Sequence, residues 1–112
     1  MHIKTVTKRK RKVVVLSDRI TFDDSIQLSK TIETWINGKH KEIIIDLHKV
    51  DYVDSSFIGA LIHSQIMLKR YHKKIILAAP QYCVKKIFED MSLKNVFEIV
   101  ESYDSKIRRS LN

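Results

Sequence analysis

The stretch IIIDLHKVDYVDSSFIGALI, residues 43 to 62, constrains this chain more than any other part of it. Residues 43 to 47 are aliphatic with little polar alternation, which is typical of a strand that is covered on both faces. Two serines follow Asp54, directly before an apolar pattern with helical spacing. Aspartate and serine are preferred caps of helix N-termini. The sequence therefore predicts a buried strand, a short loop, and a helix that is capped by Asp54 or Ser55.

A serine at a helix N-terminus supports two interpretations. The helix end carries roughly half a positive charge and free backbone N–H groups. A neutral hydroxyl there caps the helix, and a phosphate there is stabilised. Capping alone and phosphorylation both remain open from the residues themselves, with Ser55 as the first candidate for modification and Ser56 as the second.

The same residues resemble the signature of the STAS domain, the family of bacterial anti-sigma-factor antagonists. In that family a strand that ends in Asp-Leu is followed by an Asp-Ser-Ser/Thr-Gly-x-Gly segment. Here these positions hold Asp46-Leu47 and the segment from Asp54 to Gly59, with Phe57 in place of the usual glycine. The resemblance follows the element order of nearly the whole chain, and its specific part is the segment 54 to 59. It implies that Ser55 is the phosphorylation site.

The resemblance also implies a function. A protein of this family is a non-catalytic, cytoplasmic switch that binds an anti-sigma factor with serine-kinase activity. Phosphorylation of Ser55 would end that binding, Asp54 would help to position Ser55, and Thr21 occupies a nearby family position. No cofactor is expected in this chain because the kinase would bring the ATP. The alternative within the fold is an unphosphorylated STAS subunit that regulates a transporter or another assembly.

The outer face of the predicted second helix is a candidate docking surface. If Ile58, Leu61 and Leu68 face the sheet, small, aromatic and thioether side chains face outward, where charged residues are the default. A modestly apolar surface and a docking face are both consistent with this pattern. The candidate partner-binding residues are Thr21, Asp54, Ser55, Ser56, Phe57, Gly59, Ala60, His63 and Met67.

Phe57 has three interpretations. It packs on a neighbouring loop or in the core, anchors a partner, or shields Ser55 from a kinase. We expect an anchor or a shield, because Ile58 already fills the inward position of that helical turn.

The bulk composition excludes several function classes. A chain of 112 residues with 44% hydrophobic content is expected to form one globular domain. The single cysteine, Cys83, permits no internal disulfide and fits a reducing cytoplasm. No apolar run approaches the roughly 20 residues of a membrane helix. The five histidines lack metal-ligand spacing, and no phosphate-binding loop or nucleophile elbow is present, so neither a metal nor catalysis is expected.

The net charge of +8 is concentrated near the N-terminus, where residues 8 to 12 read KRKRK. A solvated turn is one interpretation, and attraction to an acidic partner or an anionic membrane surface is another. A small basic nucleic-acid-binding protein is the alternative from a different class. No stable complex with nucleic acid is expected, because no aromatic residues alternate with the block and no recognition motif follows it.

The predicted fold class is α/β, a STAS-like mixed and mostly parallel sheet flanked by helices in the order β-β-α-β-α-β-α-β-α. Residues 1 to 112 are expected to form a single domain, with residues 8 to 12 as a basic turn or tail. Strands are predicted at residues 3–7, 13–16, 42–47, 75–79 and 96–100. The first two are expected to form a hairpin with the basic block at its turn, and the alternative is a disordered tail followed by one strand. Helices are predicted from Asp23 or Asp24 to residue 36, from Asp54 or Ser55 to residue 71, at 81–91 and at 104–111. The inward side of the first helix is predicted to hold Ile26, Leu28, Ile32, Trp35 and Ile36.

Overall fold

The computed structural model describes residues 1–8 and 11–102. Its elements in chain order are β1 (His2–Lys8), β2 (Arg11–Ile20), α1 (Phe22–Glu33), β3 (Glu42–Val53), α2 (Ser55–Lys69), β4 (Lys74–Ala78), α3 (Tyr82–Asp90), a 3-10 turn (Leu93–Asn95) and β5 (Glu98–Val100). The last predicted helix, at 104–111, lies outside the described residues.

The strands form a five-stranded sheet in the order β1-β2-β3-β4-β5. β1 is antiparallel to β2, and every later neighbour is parallel. This confirms the predicted mixed, mostly parallel sheet. Right-handed crossovers between strands that follow one another in this order put their helices on one face. The carboxyl ends of the parallel strands, and the helix N-termini that follow them, therefore meet at one edge of the sheet.

The core has two parts, one on each face of the sheet. The larger part joins β2, β3 and β4 to side chains of all three described helices, among them Leu28, Leu61 and Phe88. The smaller part lies on the opposite face and includes Val13, Ile44 and Ile76. All residues from 43 to 47 are buried. The lack of polar alternation in this strand is thus explained by burial on both faces.

Helix α1 differs from the prediction at both ends and in its buried face. Thr21, rather than Asp23 or Asp24, is the N-cap, and the Asp24 carboxylate accepts a hydrogen bond from the Thr21 backbone N–H at 2.9 Å. Ile26 is exposed, contrary to the expectation that it faces inward. Leu28 lies inward, and a residue two positions away points roughly 200° around the helix.

The hairpin at the N-terminus is present, but the basic block is not simply its turn. Lys8 is the last residue of β1, and Arg11 and Lys12 already belong to β2. Lys8 and Arg11 are register partners across the hairpin. The Arg11 guanidinium also forms an ion pair with Glu42 on the neighbouring strand, with an Nε to Oε1 distance of 2.8 Å.

The last strand is shorter than predicted. Residues 96 and 97 were assigned to it, but the backbone N–H groups of Val96 and Phe97 both donate to the Leu93 carbonyl. This local 3-10 turn uses the hydrogen bonds that a strand would need. β5 therefore begins at Glu98.

Candidate protein-binding site

Two helix N-termini lie side by side at the carboxyl edge of the sheet. Ile20 and Val53, the last residues of β2 and β3, are register partners. Thr21 and Asp54 follow them directly as the N-caps of α1 and α2. The register thus brings together two residues that the sequence placed in one site, and the positive ends of two helix dipoles with them.

The first turn of α2 is the centre of this edge. The Asp54 carboxylate accepts a hydrogen bond from the Phe57 backbone N–H at 3.0 Å, as the sequence predicted for a cap. Ser55 is exposed at the first helical position, and Ser56 is partly exposed behind it. Their N–H groups precede the first intrahelical hydrogen bonds. The first turn of α2 carries no acidic side chain, whereas α1 has Asp23 and Asp24 there.

Phe57 is a core residue, so the expectation of a surface anchor is wrong. Its side chain is 0% exposed and packs within the larger core. A ring without accessible surface offers no contact to a partner, and it does not cover the exposed Ser55. The inference failed because both Phe57 and Ile58 face inward in this turn. The buried face of α2 is wide, as expected for a helix covered by a sheet on one side and by α1 on another.

The outer face of α2 otherwise agrees with the sequence pattern. Gly59 and His63 are exposed, while Ala60 and Met67 are partly buried. Ile66, which is not among the predicted partner-binding residues, is 54% exposed. This face is therefore poor in charge near Ser55 and becomes apolar toward the middle of the helix.

In the free chain, no steric constraint requires a glycine at position 59. A Cβ atom built at this position meets no heavy atom within 4 Å. Glycine in a helix interior destabilises it by about 0.5–1 kcal/mol relative to alanine. The residue therefore costs stability without any compensating contact in the described structure.

Three exposed aromatic side chains at the carboxyl edge were missed from the sequence. Phe22 and Tyr82 occupy the first positions of α1 and α3, and Tyr52 lies near the end of β3. Phe22 is 59% exposed and Tyr82 is 78% exposed. The Arg19 guanidinium lies 3.8 Å from the centre of the Tyr52 ring. Phe22 and Tyr82 are the first residues of their helices, and the inward-facing positions of those helices are filled by later residues. This placement was the sequence signal that both side chains are exposed.

Gln65 fixes helix α2 to the sheet. Its side-chain carbonyl accepts from the Ile75 backbone N–H at 2.7 Å, and its amide donates to the Val96 carbonyl at 2.9 Å. The residue is buried, and both polar ends of its side chain have partners. It ties the middle of α2 to the start of β4 and to the segment before β5.

Asp46 and His48 form a hydrogen-bonded pair on β3, before the site in the chain. The Asp46 carboxylate is almost fully buried and accepts from the backbone N–H and from Nδ1 of His48, at 2.9 and 2.6 Å. Gln81, the N-cap of α3, donates to the His48 carbonyl at 3.0 Å. These bonds hold the start of α3 against β3. Among residues 1–8 and 11–102, no cluster of three possible metal ligands is found.

Comparison with known proteins agrees with this architecture. SpoIIAA in its phosphorylated form, a Bacillus cell fate determinant, superposes with a TM-score of 0.74 and 18% identity over 99% of this chain and 100% of its own. An anti-sigma factor antagonist from Mycobacterium paratuberculosis gives a TM-score of 0.81 at 15% identity, over 99% of this chain and 94% of that one. A sulfate transporter family protein from Wolinella succinogenes gives 0.77 at 12%, over 95% and 88%.

The family relation rests on the sequence as well. No curated protein sequence matches this chain. The family model that describes the STAS domain, in contrast, matches residues 2–106. The chain belongs to the STAS domain family.

Proposed function

We propose that this chain is a non-catalytic regulatory protein of the anti-sigma-factor-antagonist type, which binds a protein partner at the N-terminal end of α2. Phosphorylation of Ser55 would end that binding. The observation that carries the proposal is the position of Ser55, an exposed hydroxyl at the first position of a helix whose N-cap is the carboxylate of Asp54. This position tolerates a phosphate and also presents it to any protein that docks there.

The electrostatics of the edge support a switch. A phosphate adds about −1.5 to −2 charges and three acceptor oxygens. Two helix N-termini stabilise this charge in the free chain, so the fold should survive modification. Asp51 and Asp54 flank the site in sequence and oppose the phosphate. A partner that docks over Ser55 would have to desolvate an anion without a matching cation, which is strongly unfavourable.

The surface around Ser55 supports a protein as the ligand. Phe22 and Tyr52 provide exposed aromatic area at the same edge of the sheet as Ser55. Aromatic residues are enriched among the side chains that dominate binding energy in protein interfaces. Phe22 therefore takes the role of partner anchor that the sequence had suggested for Phe57.

The identity of the partner is inferred from similar structures. SpoIIAA, which shares the fold, is an anti-sigma factor antagonist with both an unphosphorylated and a phosphorylated form. The partner proposed for this chain is therefore an anti-sigma factor that is also a serine kinase. That kinase would supply the ATP, and this chain would be its substrate and would hold no cofactor.

The test combines binding with site mapping. The chain is incubated with ATP and a purified anti-sigma-factor kinase of the source organism, and the phosphate is located by fragment mass spectrometry. We expect it on Ser55, and Ser55→Ala should bind the kinase and remain unmodified. Ser55→Asp should bind at least about tenfold more weakly, which corresponds to about 1.4 kcal/mol. Ser56→Asp is the matched control, since it adds the same charge one position deeper.

Three outcomes would contradict or change this proposal. Unchanged affinity of Ser55→Asp at an unchanged melting temperature would show that the α2 N-terminus is not the interface. Phosphate on Ser56 alone would move the switch to the second serine. Tight binding without any phosphorylation would instead favour a subunit that regulates a transporter, as the similarity to a sulfate transporter family protein suggests.

A further inference from the structure

The end of the molecule opposite the binding site is strongly basic. The amino ends of the parallel strands meet there, together with the C-termini of α1 and α2 and the connections that follow them. We call this end the basic pole and define it by the described cations Lys12, Lys39, Lys41, Lys69, Arg70 and Lys74. In sequence these residues lie in four separate segments, so only the fold shows that their charges accumulate in one place.

Much of this charge has no internal partner. Lys74 is balanced by Glu42 and Glu98, with Nζ to carboxylate distances of 3.8 and 3.2 Å. In the described part of the chain, the exposed cations Lys39, Lys41, Lys69 and Arg70 have neither a hydrogen bond nor an ion pair to a side-chain carboxylate. The pole therefore projects a positive field into solvent, which is the electrostatic requirement for binding a polyanion.

Two titratable groups beneath the surface are affected by the same crowding of cations. The Lys73 ammonium is buried and donates to the carbonyl of Gly38 at 2.7 Å and to that of His40. Burial, and then the charge of Lys41, lower the pKa of Lys73. Burial, and then Lys12 and Lys73, lower the pKa of His40. An anion bound at this pole would relieve repulsion that the fold already contains.

We propose that the basic pole binds the anionic surface of a lipid bilayer. Its unpaired cations are mostly lysines, spread over the C-terminal end of α2 and the connection between α1 and β3, which suits a plane of mobile headgroups. Tyr71 is 48% exposed between Arg70 and His72. Tyrosine is enriched at the membrane–water interface, where its ring meets the acyl chains and its hydroxyl meets water.

The arrangement favours lipid over nucleic acid. Helices α1 and α2 present their C-termini at this end, so neither offers the N-terminal residues that read a groove in helix-turn-helix proteins. Tyr71 is the one exposed large aromatic residue among the described residues of the pole, whereas single strands are held by several stacked rings. Binding through the basic pole would point Ser55 away from the bilayer and leave it open to a protein partner.

The test uses the full chain and vesicles of defined composition. We expect sedimentation with vesicles of phosphatidylcholine containing about a third phosphatidylglycerol, none with pure phosphatidylcholine, and release at high salt, since headgroup attraction is screened. The double variant Lys39→Gln, Lys41→Gln should lower the partition of the protein onto these vesicles about 30-fold. Each cation near the surface contributes about 1 kcal/mol to binding, and the variant loses two of them. Both residues lie outside the helices, so helix termini are unchanged.

The matched control removes the same charge from positions outside the basic pole. Lys49→Gln with Lys86→Gln should lower partition less than about threefold, although the net charge is identical. Equal losses in the two double variants, or no binding to the anionic vesicles, would overturn the proposal. Tighter binding to duplex DNA than to the vesicles at matched salt would also overturn it. None of these outcomes depends on a partner at Ser55, so this result and that of the proposed switch are separable.

Discussion

Replacement of Gly59 by alanine should raise the stability of the fold and weaken the binding of a partner. The added Cβ meets no atom within 4 Å, so the change introduces no clash. Alanine is favoured over glycine in a helix interior by about 0.8–1 kcal/mol. For a domain of 112 residues, that gain should raise the melting temperature by roughly 3–4 °C. If a partner approaches the helix backbone here, the same methyl group should weaken binding by at least about tenfold.

The assay pairs thermal unfolding with titration calorimetry against the purified kinase partner. Gly38→Ala is the control, since Gly38 is the other glycine of the chain and lies at the opposite end. A Cβ at Gly38 would lie 3.2 Å from Cδ2 of His40, so we expect no gain in stability and no loss of affinity there. A Gly59→Ala variant with higher stability and unchanged affinity would refute the idea that a partner contacts the backbone at this position.

Phe57→Ala should destabilise the fold by about 3–5 kcal/mol, measured by urea unfolding, because its ring is fully buried; a loss below 1 kcal/mol would contradict its place in the core. Asp54→Ala should cost about 0.5–2 kcal/mol through loss of the cap on α2, and Asp54→Asn should restore most of it. The pKa of His40 is lowered in the fold, so the unfolded chain binds the proton more readily. Urea midpoints should therefore fall as the pH drops below about 6.5, and His40→Asn should flatten this dependence.

The buried strand and the capped helix at the site were predictable because their determinants are local, whereas the loop predicted between them is wrong, since β3 continues to Val53 and Asp54 follows it directly. The aliphatic run at 43–47 and the cap at Asp54 are both present, since burial on both faces and a capping carboxylate each leave a clear pattern in sequence. The adjacency of Thr21 to Asp54 came from family resemblance, and the parallel register of β2 and β3 explains it. The bounds of β5 were wrong because a 3-10 turn and a strand share the same short apolar run.

The role of Phe57 and the basic pole were not predictable for a different reason. Both depend on which side of an element faces its neighbours, and this is decided by tertiary packing. One apolar position per turn was assumed to fill the inward face of α2, but α1 covers a second flank and buries Phe57 as well. The charges of Lys39 and Arg70 are distant in sequence and meet at one end only through the parallel topology.

The two hydrogen bonds of Gln65 would limit the movement of helix α2 when charge is added at Ser55. They fasten α2, ten residues past Ser55, to strand β4 and to the segment before β5. Rotation or sliding of the helix would break both bonds and bury an unsatisfied amide, at a cost of about 1–3 kcal/mol for each group. Charge added at Ser55 therefore leaves the helix in place. In the proposed switch, phosphorylation of Ser55 would therefore change only the surface around this residue, and only a protein that binds there would detect the change.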